Sequence, residues 1–582
     1  MLKLFYALVS VVFISTLTIA QVSSSAVPIP KREVRAVWIA TVMGLDWPKT
    51  FDPTEQQRSL REIVAKLKAA NFNTIYFQVR GRADAMYRSK YEPWSQQLTG
   101  TLGENPGWDP LQFIIDEAHA QGMELHAWFN TFLVKSGGPK PTDSNPQHVI
   151  LSHPEWMHQV NGEWWFDPGL PEVRDYNLKV AMDIVRKYDI DGIQFDFIRY
   201  PGRPFPDDVT YKKYGGNFSK SDWRRENINM FVRALHDSAI ALKPMLKVGA
   251  TPIGIYTNIN GARGQQSYTE LYQDSRRWLR EGIMDYIVPQ VYWTIGSTPG
   301  DPDFAAIVKD WADNTNSKQI FIGVGAYKAE ILEQVPQLID TTRTAGLKGV
   351  SFFRYENISK LLDVGGRFKY QAEIPPMPWK DPIPPNSPLN VQVQNITDGI
   401  FMVQWRHPDI ASDGDGAKYF NIYRSPVKPI DVNNPSYLIG RVSNRTTQFV
   451  DTINRVASPK YDYAVIAVDK GNNESAPAVE SVVIPEIVEL ARRFSFEFNL
   501  AQNYPNPATS VVYIPYEISE KTPVFLKILD ERNNELINVV DAVQEPGRYI
   551  AAANISKLKD GMYTCLLVSG GFSQKRMFKV DN

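Results

Sequence analysis

Asp189-Ile190-Asp191-Gly192-Ile193-Gln194-Phe195-Asp196-Phe197-Ile198-Arg199-Tyr200-Pro201 is the stretch whose reading decides the fold. It reads as a short strand with two acids before it and a third, Asp196, near its C-terminal end. Strand alternation sends Asp196 to the face opposite Phe195 and Phe197, so a carboxyl group stands among apolar neighbours. A group so placed must be hydrogen-bonded, paired or used in chemistry, because burying a lone charge is expensive. In a β/α barrel the C-terminal strand ends line the active site, which makes Asp196 a candidate catalytic acid. On this segment alone, a structural carboxylate bonded to Arg199 or to loop amides is an equal alternative.

Outward from this strand, short apolar runs alternate with helical patterns from Arg35 to Glu356. Strands are expected at 34–42, 74–80, 124–130, 192–198, 247–251, 286–293, 320–326 and 349–355. Helices are expected between them, among others at 54–70, 111–121, 173–188, 224–242 and 267–281. The strand runs are near-continuously apolar, as when both faces of a parallel sheet are covered. Eight strand-helix units predict an α/β domain, a (β/α)8 TIM barrel over 32–373. An open doubly wound sheet is the runner-up, but no glycine-rich phosphate loop follows the first strand.

The chain has 582 residues, too many for one core. A proline-rich linker is expected at 374–388. Two small all-β, sandwich-like domains follow, at 389–486 and 496–582. At the N-terminus, Lys3 precedes a short apolar run from Leu4 to about Ser15, with cleavage expected near Ala20 or Ala26, the pattern of a secretory signal peptide over 1–26. The run is too short to span a bilayer comfortably, so no stable membrane span is expected after cleavage. The expected location is therefore secreted or at the cell surface. A formal net charge of −1 gives no electrostatic reason to expect nucleic acid as a partner. The single cysteine, Cys565, excludes a disulfide framework and any multi-thiolate metal site.

Chemistry-bearing residues gather at the expected strand ends. Gln78, Arg80 and Asp84 follow the second strand, and Trp128 and Asn130 close the third. Gln290, Tyr292 and Trp293 end the sixth strand, and Glu356 lies just past the eighth. Twelve of the fourteen tryptophans precede residue 312. Flat aromatic faces suit the apolar faces of sugar rings, although tryptophan also fills cores. Glycoside hydrolysis needs two carboxyl groups, one protonated and one ionised. Asp196 is the first choice, with Asp84 or Glu356 as its catalytic partner and Asp46 as a further option. Gln78, Arg80, Trp128, Asn130, Arg199, Gln290, Tyr292 and Trp293 are the expected substrate-binding residues. No cofactor or metal is expected: the seven histidines form no clustered ligand set, and no serine elbow appears.

Arg35-Ala36-Val37-Trp38-Ile39, Phe77-Gln78-Val79-Arg80, Glu92-Pro93-Trp94-Ser95, His126-Ala127-Trp128-Phe129-Asn130 and Asp191-Gly192-Ile193-Gln194-Phe195-Asp196 occur in that order. Asp222-Trp223-Arg224-Arg225 and Asp285-Tyr286-Ile287-Val288-Pro289-Gln290-Val291-Tyr292-Trp293 follow. This series resembles the glycosyl hydrolase-like 10 family. The resemblance implies a TIM-barrel glycosidase whose relatives are linked to bacterial cell-wall glycan strands, so a polysaccharide or peptidoglycan glycan is the expected partner. The family's usual run has paired acids followed by Tyr-Phe-Tyr-Pro. This chain has Asp196-Phe197-Ile198-Arg199-Tyr200-Pro201, keeping the first acid and departing at Arg199.

Trp405 in an early strand and Tyr461-Asp462-Tyr463 at the start of a later one resemble a fibronectin type III module. Asn499-Leu500-Ala501-Gln502-Asn503-Tyr504-Pro505-Asn506-Pro507 opens a segment similar to type IX secretion sorting domains, which implies export machinery as a second partner. Two other readings remain open: a non-catalytic glycan-binding surface protein and a structural cell-envelope protein.

Overall fold

The computed structural model describes residues 27–296, 300–397, 400–453, 460–483 and 498–581. The expected signal peptide lies outside these residues. The chain divides into two compact units at residues 483 and 484.

The first unit is built on one parallel sheet. Its strands run in chain order: Val34–Ile39, Thr74–Arg80, Glu124–Asn130, Gly192–Asp196, Lys247–Ala250 and Tyr286–Ile287, with Gly349–Phe352 closing beside the first. The seventh strand is split at Phe321. Gln319–Ile320 pairs with the sixth strand, whereas Ile322–Val324 pairs with the eighth. The two ends of the sheet thus belong to one stretch of chain, and the barrel closes through it. A helix follows each strand, the main ones being Pro53–Ala69, Pro110–Ala120, Pro171–Lys187, Lys220–Leu242, Phe304–Ala312 and Ala329–Thr344.

The helix starts follow from local chemistry. Asp52 and Asp109 each precede a proline, and their carboxylates accept from Glu55 N (2.8 Å) and Gln112 N (3.2 Å). The acid satisfies a free amide at the helix start, and proline has none to satisfy. Apolar side chains such as Ile75, Leu125, Ile193 and Val248 pack outward against these helices. The lumen holds Trp38, Tyr76, Trp128, Tyr286 and Phe321. Two strand glycines make room for rings inside it: a Cβ at Gly192 would stand 2.5 Å from the His126 ring, and one at Gly249 2.2 Å from the Tyr286 ring.

Several expected elements are shorter than the sequence pattern, two of them by half or more. The sixth strand stops at Ile287, because Pro289 has no amide to give the ladder, and Gln290 keeps only isolated bridges. The helix expected over 267–281 is Ser275–Arg280, capped by the Asp274 side chain accepting from Arg277 N. Before it the chain passes through Tyr272 at φ +62°, a conformation no helix contains.

The segment 374–388 is a packed strap. Trp379 Nε1 donates to Asp285 at 2.9 Å, and Lys380 Nζ donates to Leu246 O at 2.8 Å. Beyond it, seven strands form sheets of three and four, with Trp405 buried against Phe420. This sandwich docks on the N-terminal end of the barrel. Lys418 pairs with Asp191, Arg441 with Glu373, and Asn472 Nδ2 donates to Glu124 at 3.2 Å.

The second unit is also two antiparallel sheets, of three and four strands. Its core gathers Val512, Ile514, Leu526, Ile528, Leu567 and Phe578 around the buried Cys565 thiol. Among the described residues, no helix is long and apolar enough to cross a membrane.

Candidate active site

A cavity of about 280 Å³ opens at the C-terminal mouth of the barrel. Its floor and walls include Trp38, Gln78, Trp128, Asn130, Asp196 and Gln290, with Phe197, Arg199, Tyr292, Tyr327 and Phe353 toward the rim. Asp196 is the single acid among the described residues that line it.

Asp196 ends the fourth strand and is 8% exposed. Phe197, the next residue, sits at φ +48°, a strained conformation for a bulky side chain. That turn aims the Phe197 amide back at Asp196 Oδ1, at 2.7 Å. Gln290 Nε2 approaches the same oxygen at 3.4 Å and is shared with Thr251 O at 3.3 Å. The Trp128 indole N–H faces the carboxyl without reaching hydrogen-bond geometry. Burial outweighs the Phe197 amide and the Arg199 charge and pushes the Asp196 carboxyl up to about 6. A carboxyl poised there holds a proton in mildly acidic solution and can release it to a leaving oxygen.

The lining is prepared for a polar, flat-faced ligand. Asn130 Nδ2 donates to Gly81 O at 2.9 Å, which leaves its Oδ1 with no partner. Gln78 Oε1 is held by Thr41 N (3.0 Å) and Val42 N (2.9 Å). Tyr292 stacks on Phe353 with ring centroids 5.8 Å apart, and Tyr327 stands edge-on to both. Arg199 lies over the Trp165 ring at 5.2 Å and the Phe197 ring at 5.1 Å. Its charge faces both Asp196 and Glu163, an acid whose Oε2 accepts from Trp165 Nε1 at 3.0 Å.

Other expected site residues lie elsewhere. Arg80 is fully buried and spent: it donates to both oxygens of Glu92 (2.6–2.9 Å) and to the carbonyls of Asn130 and Thr131. It braces the loops and does not line the cavity. Trp293 packs against the apolar core, also outside the cavity lining. Asp84 is half-buried on the loop after the second strand, accepting from Arg82 N at 2.9 Å. Glu356 is an exposed rim residue whose carboxylate is held low by Lys49 at 2.8 Å. Asp46 is buried and accepts from Ala40 N and Glu356 N. None of these three acids lines the cavity. Among the tryptophans, Trp47 is core, packed on Phe77 and Trp108.

Sequence reading missed Trp38, Tyr327 and Phe353 as wall residues and Glu163 as a neighbouring acid. Phe353 had a signal, as it directly follows the eighth strand. Glu163 sits on a small three-stranded sheet after the third barrel strand (Leu133–Ser136, Met157–Val160, Glu163–Phe166), where it pairs with Ser136 of the cavity wall.

Residues 33–339, more than half of the chain, match the family described as Glycosyl hydrolase-like 10. Residues 502–579 match the secretion system C-terminal sorting domain, which makes this a secreted or cell-surface protein. The glycosyl hydrolase YngK of Bacillus subtilis (strain 168) is 33% identical over 479 residues, covering 76% of this chain and 92% of that one. The glycosyl hydrolase DigH of Escherichia coli (strain K12) is 37% identical over 324 residues, covering 51% and 73%. Among solved structures, alpha-L-fucosidase isoenzyme 2 from Paenibacillus thiaminolyticus aligns over 94% of this chain and 100% of that one. Its TM-score is 0.40 at 10% identity, a likeness that carries no argument. On the family match and the relation to YngK, the chain belongs to the glycosyl hydrolase-like 10 family.

Proposed function

We propose that this protein is a secreted glycoside hydrolase that cleaves O-glycosyl bonds in a bacterial cell-wall or other complex glycan, with Asp196 as its proton donor. The observation that carries this reading is a buried carboxyl raised to about 6 at the mouth of an aromatic-lined barrel. Family membership and relatives named glycosyl hydrolases support it. The cavity admits little more than one sugar ring, so neighbouring sugars would lie across the rim on Tyr292 and Tyr327. Asn130 Oδ1 offers a free acceptor to a sugar hydroxyl, and Gln290 would hold the orientation of Asp196.

Asp196 protonates the glycosidic oxygen as the bond breaks and an oxocarbenium-like centre develops. A second carboxylate must then stabilise that centre or activate water. Asp84 and Glu356 stay candidates from the rim. Glu163 joins them, because it shares the field of Arg199 with Asp196.

A second reading is a glycan-binding surface protein without hydrolysis, favoured by the single acid in the cavity lining. One experiment separates the two. Purified peptidoglycan glycan strands, with and without stem peptides, are incubated with the wild type and with Asp196→Asn. Reducing ends released by the wild type alone establish the hydrolase. Binding without release by the wild type establishes the binding protein, and equal release by both removes Asp196 from the mechanism.

A further inference from the structure

Far from the barrel mouth, three acids from two segments converge beside the strap. Asp381 comes from the strap, and Asp413 and Asp415 come from one sandwich loop. One carboxylate oxygen from each lies within 4.8 Å of the others. Asp381 is 6% exposed. Its Oδ1 accepts from Ile383 N at 2.9 Å, but its Oδ2 is buried with no hydrogen-bond partner. A buried, unpartnered oxygen on a carboxylate that gathers with two more acids is costly for the fold unless a cation meets the group.

The surroundings keep the approach open. A Cβ at Gly471 would stand 3.0 Å from Asp381 Oδ2, so a larger residue would crowd that oxygen. Lys470, the cation nearby, is itself exposed.

We propose that Asp381, Asp413 and Asp415 bind a calcium ion that clamps the strap to the sandwich. An all-oxygen, all-carboxylate set is the chemistry of a hard cation. Its irregular origin, two ligands from a loop and one from a strap, suits calcium better than the strict octahedron of magnesium. The ion would reinforce contacts already present: Asn473 Nδ2 to Asp381 O at 3.0 Å and Met377 N to Gly471 O at 3.1 Å. The strap is in turn tied to the barrel floor, so the clamp would fix the sandwich against the barrel.

The test is calorimetric titration of the chelator-stripped full-length protein with calcium chloride, and separately with magnesium chloride. One saturable calcium site is expected, with Kd about 0.1–1 mM, as for extracellular modules. Asp413→Asn with Asp415→Asn should weaken it at least about tenfold, since charge count sets affinity. Asn keeps the turn acceptor that Asp413 Oδ1 offers Asp415 N, so this variant retains its fold without disturbing buried Asp381. Calcium should also raise the wild-type melting temperature and slow proteolysis within 374–388, with neither effect in the double variant. No saturable calcium binding, equal binding by the double variant, or binding of magnesium in preference to calcium would each overturn the proposal.

Discussion

The two ends of the barrel treat their buried acids in opposite ways. At the floor, Glu124 is held by Lys247 Nζ (2.6 and 2.7 Å), His126 (3.3 Å) and Asn472 (3.2 Å). Asp191 accepts from Leu125 N at 2.8 Å and meets His119 and Lys418. Glu33 takes both Arg35 (2.8 Å) and Arg343 (2.7 Å). At the mouth, Asp196 has one good hydrogen bond, Asn130 Oδ1 and Trp128 Nε1 have no partner, and Phe197 is strained. Burial alone would raise all three of Glu124, Asp191 and Asp196. The cations at the floor reverse that for Glu124 and Asp191, whereas at the mouth Arg199 does not reverse it for Asp196. Acids paired with cations hold a structure together, and a raised, weakly paired one at a barrel mouth is poised for a ligand or for chemistry.

The comparison breaks most visibly at Asp196. Asp196→Asn should lower hydrolysis by about 10²–10⁴-fold, read as reducing-end release. The same change should stabilise the fold by about 1–3 kcal/mol at pH 7, read by denaturant titration, because it removes a carboxyl whose ionised form is disfavoured by burial. At the floor the signs reverse. Glu124→Gln strands Lys247 and should cost about 3–5 kcal/mol of stability, with activity per folded molecule unchanged.

pH separates the two ends with one protein. Asp196 is raised from 3.8 to about 6, so its proton is lost as pH climbs through 6, and hydrolysis should fall on that side. Glu124 and Asp191 are depressed, so their stabilisation is present above the ordinary carboxylate range and is lost as pH drops below it. Melting temperature should therefore fall in acid while activity falls toward base. The smallest effect belongs to the rim: Tyr327→Ala should weaken glycan binding by about 0.5–1.5 kcal/mol, measured by pull-down on insoluble strands.

Which of these features a sequence discloses depends on how local their cause is. The second and third strands, Thr74–Arg80 and Glu124–Asn130, match their apolar runs residue for residue, whereas the strand expected over 192–198 stops at Asp196. Arg80 ends an expected strand too, yet its partner Glu92 lies twelve residues on. Only the fold decides that the guanidinium turns to that acid and away from the mouth. Glu356 follows the eighth strand closely but is drawn to Lys49, a residue 307 positions earlier. The double grip on Asp191 was equally hidden, since Lys418 lies 227 positions away.

That distance in sequence has a practical side. The barrel's own residues end near 373, and a sequence boundary there invites truncation. A version ending at that point would lose Lys418, Asn472 and Arg441, leaving Asp191, Glu124 and Glu373 short of partners on a newly bared surface. The sandwich is thus less an appendage than the second half of the barrel's electrostatic floor. A piece that keeps all three contacts must run past Asn472, within the compact unit that ends at residue 483.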